Sequence, residues 1–291
     1  MTNSTHYIGR FAPSPTGPLH FGSLITAVAS YCEAKKQQGK WFVRVEDTDI
    51  PRIYPHSEAH ILACIDAFAF EYDGEIIFQQ HRLPIYEQVL HELAEKNAIY
   101  ACQCTRKQLA GMTVYPNLCR DLQLPIHNNA IRLKVSDAEL CFDDALQGRQ
   151  CSCLARDLGD FVLKRRDGII SYQLAVVVDD YLQGVTHIVR GADLLDNTAR
   201  QMWLQQVLGY PQVQYCHLPL AMNATGQKLS KQNLAQALDL RQAPQLLQQA
   251  FHALHQLPVA LDTPAKMLAQ GIAQWDLQRV PKQTMLMGVY Q

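Results

Sequence analysis

The stretch Arg10-Phe11-Ala12-Pro13-Ser14-Pro15-Thr16-Gly17-Pro18-Leu19-His20-Phe21-Gly22-Ser23 limits what this chain can fold into more than any other segment. Tyr7 to Phe11 is short and apolar enough for a buried strand, and Ser23 to Gln37 has the spacing of a packed helix that stops before Gly39. Trp41 to Val45 then reads as a second strand, so the opening predicts a βαβ unit. The Pro- and Gly-rich turn delivers His20 and the Gly22 backbone to the helix N-terminus, where unpaired amides suit an anion. Late in the chain, Lys228-Leu229-Ser230-Lys231-Gln232 follows Gly226 and sets two ammonium groups three residues apart on a loop. Such a loop alone is usually a solvated surface. With the first segment it points to one phosphate-handling site.

Ile85 to Lys96 predicts another helix, after which Tyr100 to Cys153 loses the α/β rhythm and collects six of the nine cysteines. That is the mark of an inserted subdomain. From Gly159, Phe161 to Lys164 and Leu174 to Val178 read as strands that resume the sheet, and Asn197 to Leu208 as a helix. The unbroken Ala175-Val176-Val177-Val178 run fits a parallel strand buried on both faces. Ala235 to Leu257, rich in Gln and Leu at helical spacing, predicts a closing helical subdomain. A chain of 291 residues exceeds what one compact core comfortably organises. The expected plan is therefore α/β. It has a catalytic first half at 1–99, an insertion at 100–155, a second half at 156–232 and a C-terminal helical subdomain at 233–291.

A formal net charge of −1 gives the molecule no overall attraction for nucleic acid, so RNA contact would rest on a local basic face. Lys164-Arg165-Arg166 and Arg106-Lys107 are the candidates, although such clusters also simply solvate a surface. No apolar run reaches membrane-spanning length, and Met1-Thr2-Asn3-Ser4-Thr5-His6 lacks the apolar core of a secretory signal. A cytoplasmic protein without membrane contact is expected. The odd number of cysteines argues against a fully paired disulfide framework and suits a reducing compartment with a metal site.

The two phosphate-handling segments resemble the paired signatures of the class I aminoacyl-tRNA synthetases. Arg10 to Leu19 is similar to the glutamyl-specific opening of that superfamily; the glutaminyl opening typically has Pro-Glu-Pro-Asn where Pro13-Ser14-Pro15-Thr16 stands here in a different frame. Val43-Arg44-Val45-Glu46-Asp47-Thr48-Asp49, Gly159 to Leu163, Ser171 to Asp180 and Thr186 to Asp193 resemble successive blocks of the same catalytic domain. Only 60 residues follow Lys231, whereas a full glutamyl enzyme carries a large helical anticodon-binding region there. The short pattern resembles the glutamyl-queuosine tRNA(Asp) branch of the family, which attaches glutamate to a modified base. His20-Phe21-Gly22-Ser23, where many synthetases have a second His, and Lys231-Gln232-Asn233 also fit that branch.

The resemblance implies a Rossmann-like parallel sheet with an inserted zinc subdomain, no anticodon-binding domain, and a ligase acting on L-glutamate, ATP and queuosine-containing tRNA(Asp). Glutamate presents one ammonium and two carboxylates, so its site needs an acid and more than one strong donor. By resemblance, Arg10, Phe11, Ala12, Pro13 and Ser14 belong to that site, Glu46 holds the α-ammonium, and Tyr172 and Arg190 complete the carboxylate contacts. Taken singly, each has an ordinary structural reading as a surface acid, a core ring or an ion-pair partner. His20, Gly22, Lys228, Ser230 and Lys231 would bind ATP. His20, Lys228 and Lys231 stabilise charge on the phosphates, with Mg²⁺ neutralising pyrophosphate. Activation is expected to proceed without tRNA, in a monomer.

Cys102-Gln103-Cys104 with Tyr115 and Cys119 is the metal candidate. Three thiolates and a phenolate could enclose structural Zn²⁺ tetrahedrally, with tyrosine included by resemblance. Cys151-Ser152-Cys153 is a rival pair and His127 an alternative to Tyr115, both otherwise read as idle thiols and a surface imidazole. Cys32, Cys64 and Cys216 sit in apolar segments and read as core. Two other functions fit parts of the chain, namely a non-catalytic RNA-binding module and a paralogue that loads glutamate onto a small amine or thiol.

Overall fold

The computed structural model describes residues 6–222 and 237–286. The opening βαβ unit forms as its pattern predicts: β1 (Ile8–Phe11), α1 (Phe21–Lys36) and β2 (Lys40–Val45), with β1 and β2 parallel. α2 (Ser57–Ala67) leads to the short β3 (Ile77–Phe78), which extends the sheet beyond β2. After α3 (Leu83–Glu95) the chain leaves this sheet. It makes β4 (Ile99–Cys102), β5 (Ala130–Leu133), a hairpin of β6 (Glu139–Asp144) and β7 (Gly148–Cys153), and β8 (Phe161–Lys164).

α4 (Tyr172–Leu182) carries the chain back to β9 (His187–Gly191), α5 (Thr198–Leu208) and β10 (Gln214–Leu218), where β9 and β10 are again parallel. Thr186 N donates to Ile8 O and Ile8 N to Thr186 Oγ1, both at 2.9 Å, so β9 starts alongside β1. The strands thus lie side by side as β3, β2, β1, β9, β10. The chain builds outward from β1 in one direction and later in the other. Such a reversal leaves a crevice at the carboxyl ends of the two central strands. Past β10, β11 (Leu220–Ala221) pairs with β12 (Met285–Leu286), and between them come α6 (Ala243–Ala253) and α7 (Pro264–Gln274).

Helices cover both sides. α1, α6 and α7 share one hydrophobic core with β1 and β2, whereas α3, α4 and α5 share a second with the β4–β5–β8 sheet. Trp275 Nε1 donates to Glu33 Oε2 at 2.6 Å, tying the end of α7 to α1. Gly271 is required there, because an added Cβ would lie 2.1 Å from Phe251 Cζ.

Two readings of the sequence are corrected. The run Ala175-Val176-Val177-Val178 lies within α4 and is not a strand. Ser171 Oγ accepts from Leu174 N at 3.4 Å as the N-cap, and Leu174 to Val178 are all buried, so this stretch of the helix packs on every side. Phe161–Lys164 is a strand, but it pairs antiparallel with β5 and does not rejoin the parallel sheet.

Candidate active site

A cavity of about 920 Å³ opens at the carboxyl ends of β1 and β9, lined among others by Arg10, Glu46, Tyr172 and Arg190. Each residue arrives there by a local necessity of the fold. Arg10 lies near the end of β1, and the following loop is held by two bonds from the β2–α2 segment: Glu46 N to Pro13 O at 3.0 Å and Tyr54 N to Pro15 O at 2.9 Å. Phe11, Ala12, Pro13 and Ser14 therefore all line the cavity. Glu46 follows the last residue of β2, Tyr172 begins α4, and Arg190 lies in β9.

His20 is the N-cap of α1, and its Nδ1 accepts from Ser23 N at 3.3 Å. A ring nitrogen that accepts carries no proton, so the neutral ring has its N–H at Nε2. Helix capping and a donor role are thus compatible in one side chain. His20 and Gly22 both line the cavity. Lys228, Ser230 and Lys231 lie outside the described residues.

The cavity wall is strongly charged beneath its surface. Asp180 Oδ1 accepts from Arg44 Nη2 at 2.8 Å and Arg10 Nε at 3.3 Å, and all three residues are buried. Burial pushes the Asp180 carboxyl up, but the two guanidiniums outweigh it and hold the group below its usual range. Glu46 differs. Its Oε1 is 3.5 Å from Arg44 Nη2 and has no hydrogen-bond partner. Burial, only partly offset by Arg44 and Arg10, raises its carboxyl to about 7.

Arg190 is 3% exposed, and among the described residues no carboxylate lies within ion-pair distance of it. Its acceptors are all neutral, including Gln201 Oε1 at 2.7 Å, Thr198 Oγ1 at 2.8 Å and Tyr172 OH at 3.4 Å. A buried cation without a counterion beside an open cavity suits an anionic ligand, and the under-bonded Glu46 suits a cationic one. The cavity can therefore receive a small zwitterion.

Cys102, Cys104 and Cys119 form a separate cluster whose sulfurs lie within 4.8 Å of one another. Cys104 Sγ is 3.5 Å from Cys119 Sγ, close to the ~3.8 Å edge of a tetrahedron with 2.3 Å metal–sulfur bonds. Tyr115 OH lies beside this three-sulfur cluster, which could hold a metal ion, at 3.4 Å from Cys102 Sγ and 3.5 Å from Cys104 Sγ. Burial raises the Cys102 thiol, but hydrogen bonds with Tyr115 and Arg132 outweigh it and bring the group down to about 7. The Arg132 guanidinium lies 3.8 Å from the Tyr115 ring centre. The rival assignment fails on geometry. Cys151 is disulfide-bonded to Cys141, its direct partner across β6 and β7, so it offers no thiolate, and exposed His127 lies outside the cluster.

The basic segment at 164–166 is also less available than its charge suggests. Lys164 pairs with Glu87 at 2.6 Å, Arg165 with Asp49 and Asp167, and Arg166 donates to Gln103 O. Arg106 and Lys107 are exposed. Sequence reasoning did not single out Arg44, Asp180, Thr198, Gln201 or His217 as site residues. Arg44 and Asp180 stood inside recognised blocks, where a charge within or beside an apolar run was a usable signal; the others gave none.

The family of class I tRNA synthetases (E and Q), catalytic domain, matches residues 8–114 and 120–257. The Glutamyl-Q tRNA(Asp) synthetase of Acinetobacter baylyi is 69% identical over 286 residues, spanning 98% of either chain. That of Neisseria meningitidis serogroup C, strain FAM18, is 50% identical over 289 residues, 95% of this chain and 98% of its own. The crystal structure of glutamate-tRNA synthetase from Elizabethkingia anophelis has the same fold, with a TM-score of 0.80 at 24% identity over 96% of this chain and 67% of that one. Among the described residues no helix is long and apolar enough to cross a membrane.

Proposed function

Because the chain belongs to the glutamyl-Q tRNA(Asp) synthetase family, built on the class I (E and Q) catalytic domain, we propose that it activates L-glutamate with ATP without needing tRNA and transfers it to the cyclopentenediol of queuosine in tRNA(Asp). It is a ligase enzyme. One observation supports an amino acid such as glutamate: a buried Arg190 without a carboxylate partner among the described residues and an under-bonded Glu46 face one cavity. Arg10 and Arg190 meet the two carboxylates, Glu46 the α-ammonium, and Tyr172 and Ser14 complete the contacts. Phe11, Ala12 and Pro13 shape the wall. Glutamine would turn an amide NH₂ toward a guanidinium, which costs about 2–5 kcal/mol for a broken buried charge pair.

In the activation step an α-carboxylate oxygen forms a bond to the α-phosphorus of ATP while the bond from that phosphorus to the pyrophosphate oxygen breaks. His20, donating from Nε2, and the Gly22 amide at the start of α1 stabilise the phosphate charge, and Lys228, Ser230 and Lys231 bind the same phosphates. Mg²⁺ bound with ATP supplies neutralisation of the pyrophosphate. A hydroxyl of the cyclopentenediol then takes the glutamyl group, and AMP leaves. That diol resembles the terminal ribose diol that ordinary synthetases acylate. Cys102, Cys104, Tyr115 and Cys119 hold one structural Zn²⁺, which would brace the insertion at 100–155. The enzyme works as a cytoplasmic monomer whose catalytic halves, 1–99 and 156–232, flank that insertion.

The test supplies radiolabelled glutamate, ATP and tRNA. Label should appear on queuosine-containing tRNA(Asp), survive removal of the 3′-terminal nucleotides, and be absent when guanosine occupies the wobble position. Efficient charging of unmodified tRNA(Glu) at its 3′ adenosine would overturn the acceptor assignment.

A further inference from the structure

Directly across the ladder between β9 and β10, His217 stands beside Arg190 in register. It is fully buried, as is Asp144 at the end of β6, and His217 Nδ1 lies 2.6 Å from Asp144 Oδ2. The same carboxylate accepts the backbone amides of Leu146 at 3.0 Å, Gln147 at 2.9 Å and His217 itself at 3.1 Å. Burial alone would raise this acid, yet these bonds hold it below the usual carboxylate range. A charged carboxylate only accepts, so the proton between the pair belongs to His217 Nδ1. Burial also pushes the imidazole toward its neutral form, which makes Nε2 a lone pair.

That lone pair is committed to the guanidinium. Arg190 Nε donates to His217 Nε2 at 3.0 Å, and Thr198 Oγ1 lies 3.2 Å from the same nitrogen. Tyr215 stacks on the imidazole with ring centres 6.0 Å apart, and its ring centre is 5.3 Å from the guanidinium carbon. The acceptor at Nε fixes the plane and roll of the guanidinium. Turning it would carry its Nη1 edge away from Tyr172 OH and the cavity. Asp144 comes from a hairpin outside the parallel sheet, closed by the Cys141–Cys151 disulfide.

We propose that His217 is a positioning residue for glutamate selection: Asp144 fixes its Nδ1–H tautomer, and its Nε2 then aims the Arg190 guanidinium at the substrate carboxylate. This rests on the reading of Arg190 as a glutamate contact.

Asp144→Asn tests it almost isosterically. The Asn carbonyl still accepts backbone amides, but its NH₂ faces Nδ1 and favours the Nε2–H tautomer, which confronts Arg190 donor to donor. In glutamate-dependent ATP–pyrophosphate exchange with the full chain, the KM for glutamate should rise roughly ten- to a hundredfold, as for loss of a hydrogen bond to a charged group. The KM for ATP should stay near that of the parent, and ¹⁵N imidazole shifts should report the changed tautomer. His217→Leu should raise the glutamate KM similarly, whereas His217→Gln, whose amide can donate to Asp144 and accept from Arg190, should recover most of the loss. Should Asp144→Asn fold poorly, the contrast between the two His217 variants decides alone. An unchanged glutamate KM in folded Asp144→Asn and His217→Leu, with a raised one in Arg190→Gln, overturns the positioning role and leaves the glutamate site standing. An unchanged KM in Arg190→Gln overturns both. Equal rises for ATP and glutamate would reduce the pair to a structural role.

Discussion

Replacing Glu46 with Gln should stabilise the protein while disabling it. The carboxyl sits in the wall of the cavity with one oxygen unbonded, and burial moves it from an ordinary 4.5 to about 7. A folded-state value above the unfolded one means that folding favours the protonated form. The contribution is therefore fully present below pH 4.5 and lost as pH rises through about 7. At 1.36 kcal/mol per pH unit, the ionised side chain costs the empty protein on the order of 3 kcal/mol at pH 8. Glutamine carries no such charge at any pH. In urea denaturation without ligand, the stability of Glu46→Gln relative to the parent should climb by that amount between pH 4.5 and 8, with most of the climb before pH 7. Glutamate-dependent pyrophosphate exchange should be lost, because the α-ammonium no longer meets a carboxylate. Saturating L-glutamate should raise the melting temperature of the parent and not that of the variant. A stability difference that stays flat across this pH range would refute the reasoning, since it would mean that Arg44 and Arg10 compensate the buried charge completely.

The purified chain should carry about one zinc per molecule, and Cys102→Ser or Cys119→Ser should lose it while Cys153→Ser keeps it; metal analysis by mass spectrometry checks this, and zinc retained in both of the first two variants would remove the assignment. Pyrophosphate exchange should proceed without tRNA, and Lys231→Ala should weaken it by about 2–4 kcal/mol in transition-state stabilisation, as for loss of a phosphate-directed donor. An absolute requirement for tRNA in that assay would contradict the proposal. Gly271→Ala should destabilise the protein by about 1–3 kcal/mol through overpacking, because its Cβ would meet the Phe251 ring. Chemical denaturation should detect this with the glutamate KM unchanged.

The opening unit was legible because its signals are local. Strand, Pro- and Gly-rich turn, and helix each announce themselves within a few residues, and β1, α1 and β2 follow. α4 was not legible for a physical reason: an apolar run buried on every side has no polar face, so neither the period of a helix nor that of a strand marks it. Ser171 was the available clue, as an N-cap before the run. Phe161–Lys164 read correctly as a strand, but partner choice is a non-local property, and its partner is β5. The cysteines divide similarly. The close spacing of Cys102 and Cys104 exposed the cluster, whereas Cys141 and Cys151 meet only because a hairpin sets them opposite each other.

By itself the sequence determined the chemistry available to this protein: which side chains stand at the helix start, which acid follows the second strand, and which thiols lie close enough to share an ion. It could do so because those features depend on neighbours along the chain. Only the tertiary structure decided their environment. Arg190 becomes a buried cation without a carboxylate partner among the described residues, and Glu46 an acid raised to about 7, because β1 and β9 meet at the reversal of strand order and bring distant segments around one cavity. Asp144 and His217, 73 residues apart, join through the packing of a hairpin on β10. Burial and charge pairing are sums over everything nearby in space, and no local pattern in the chain encodes them.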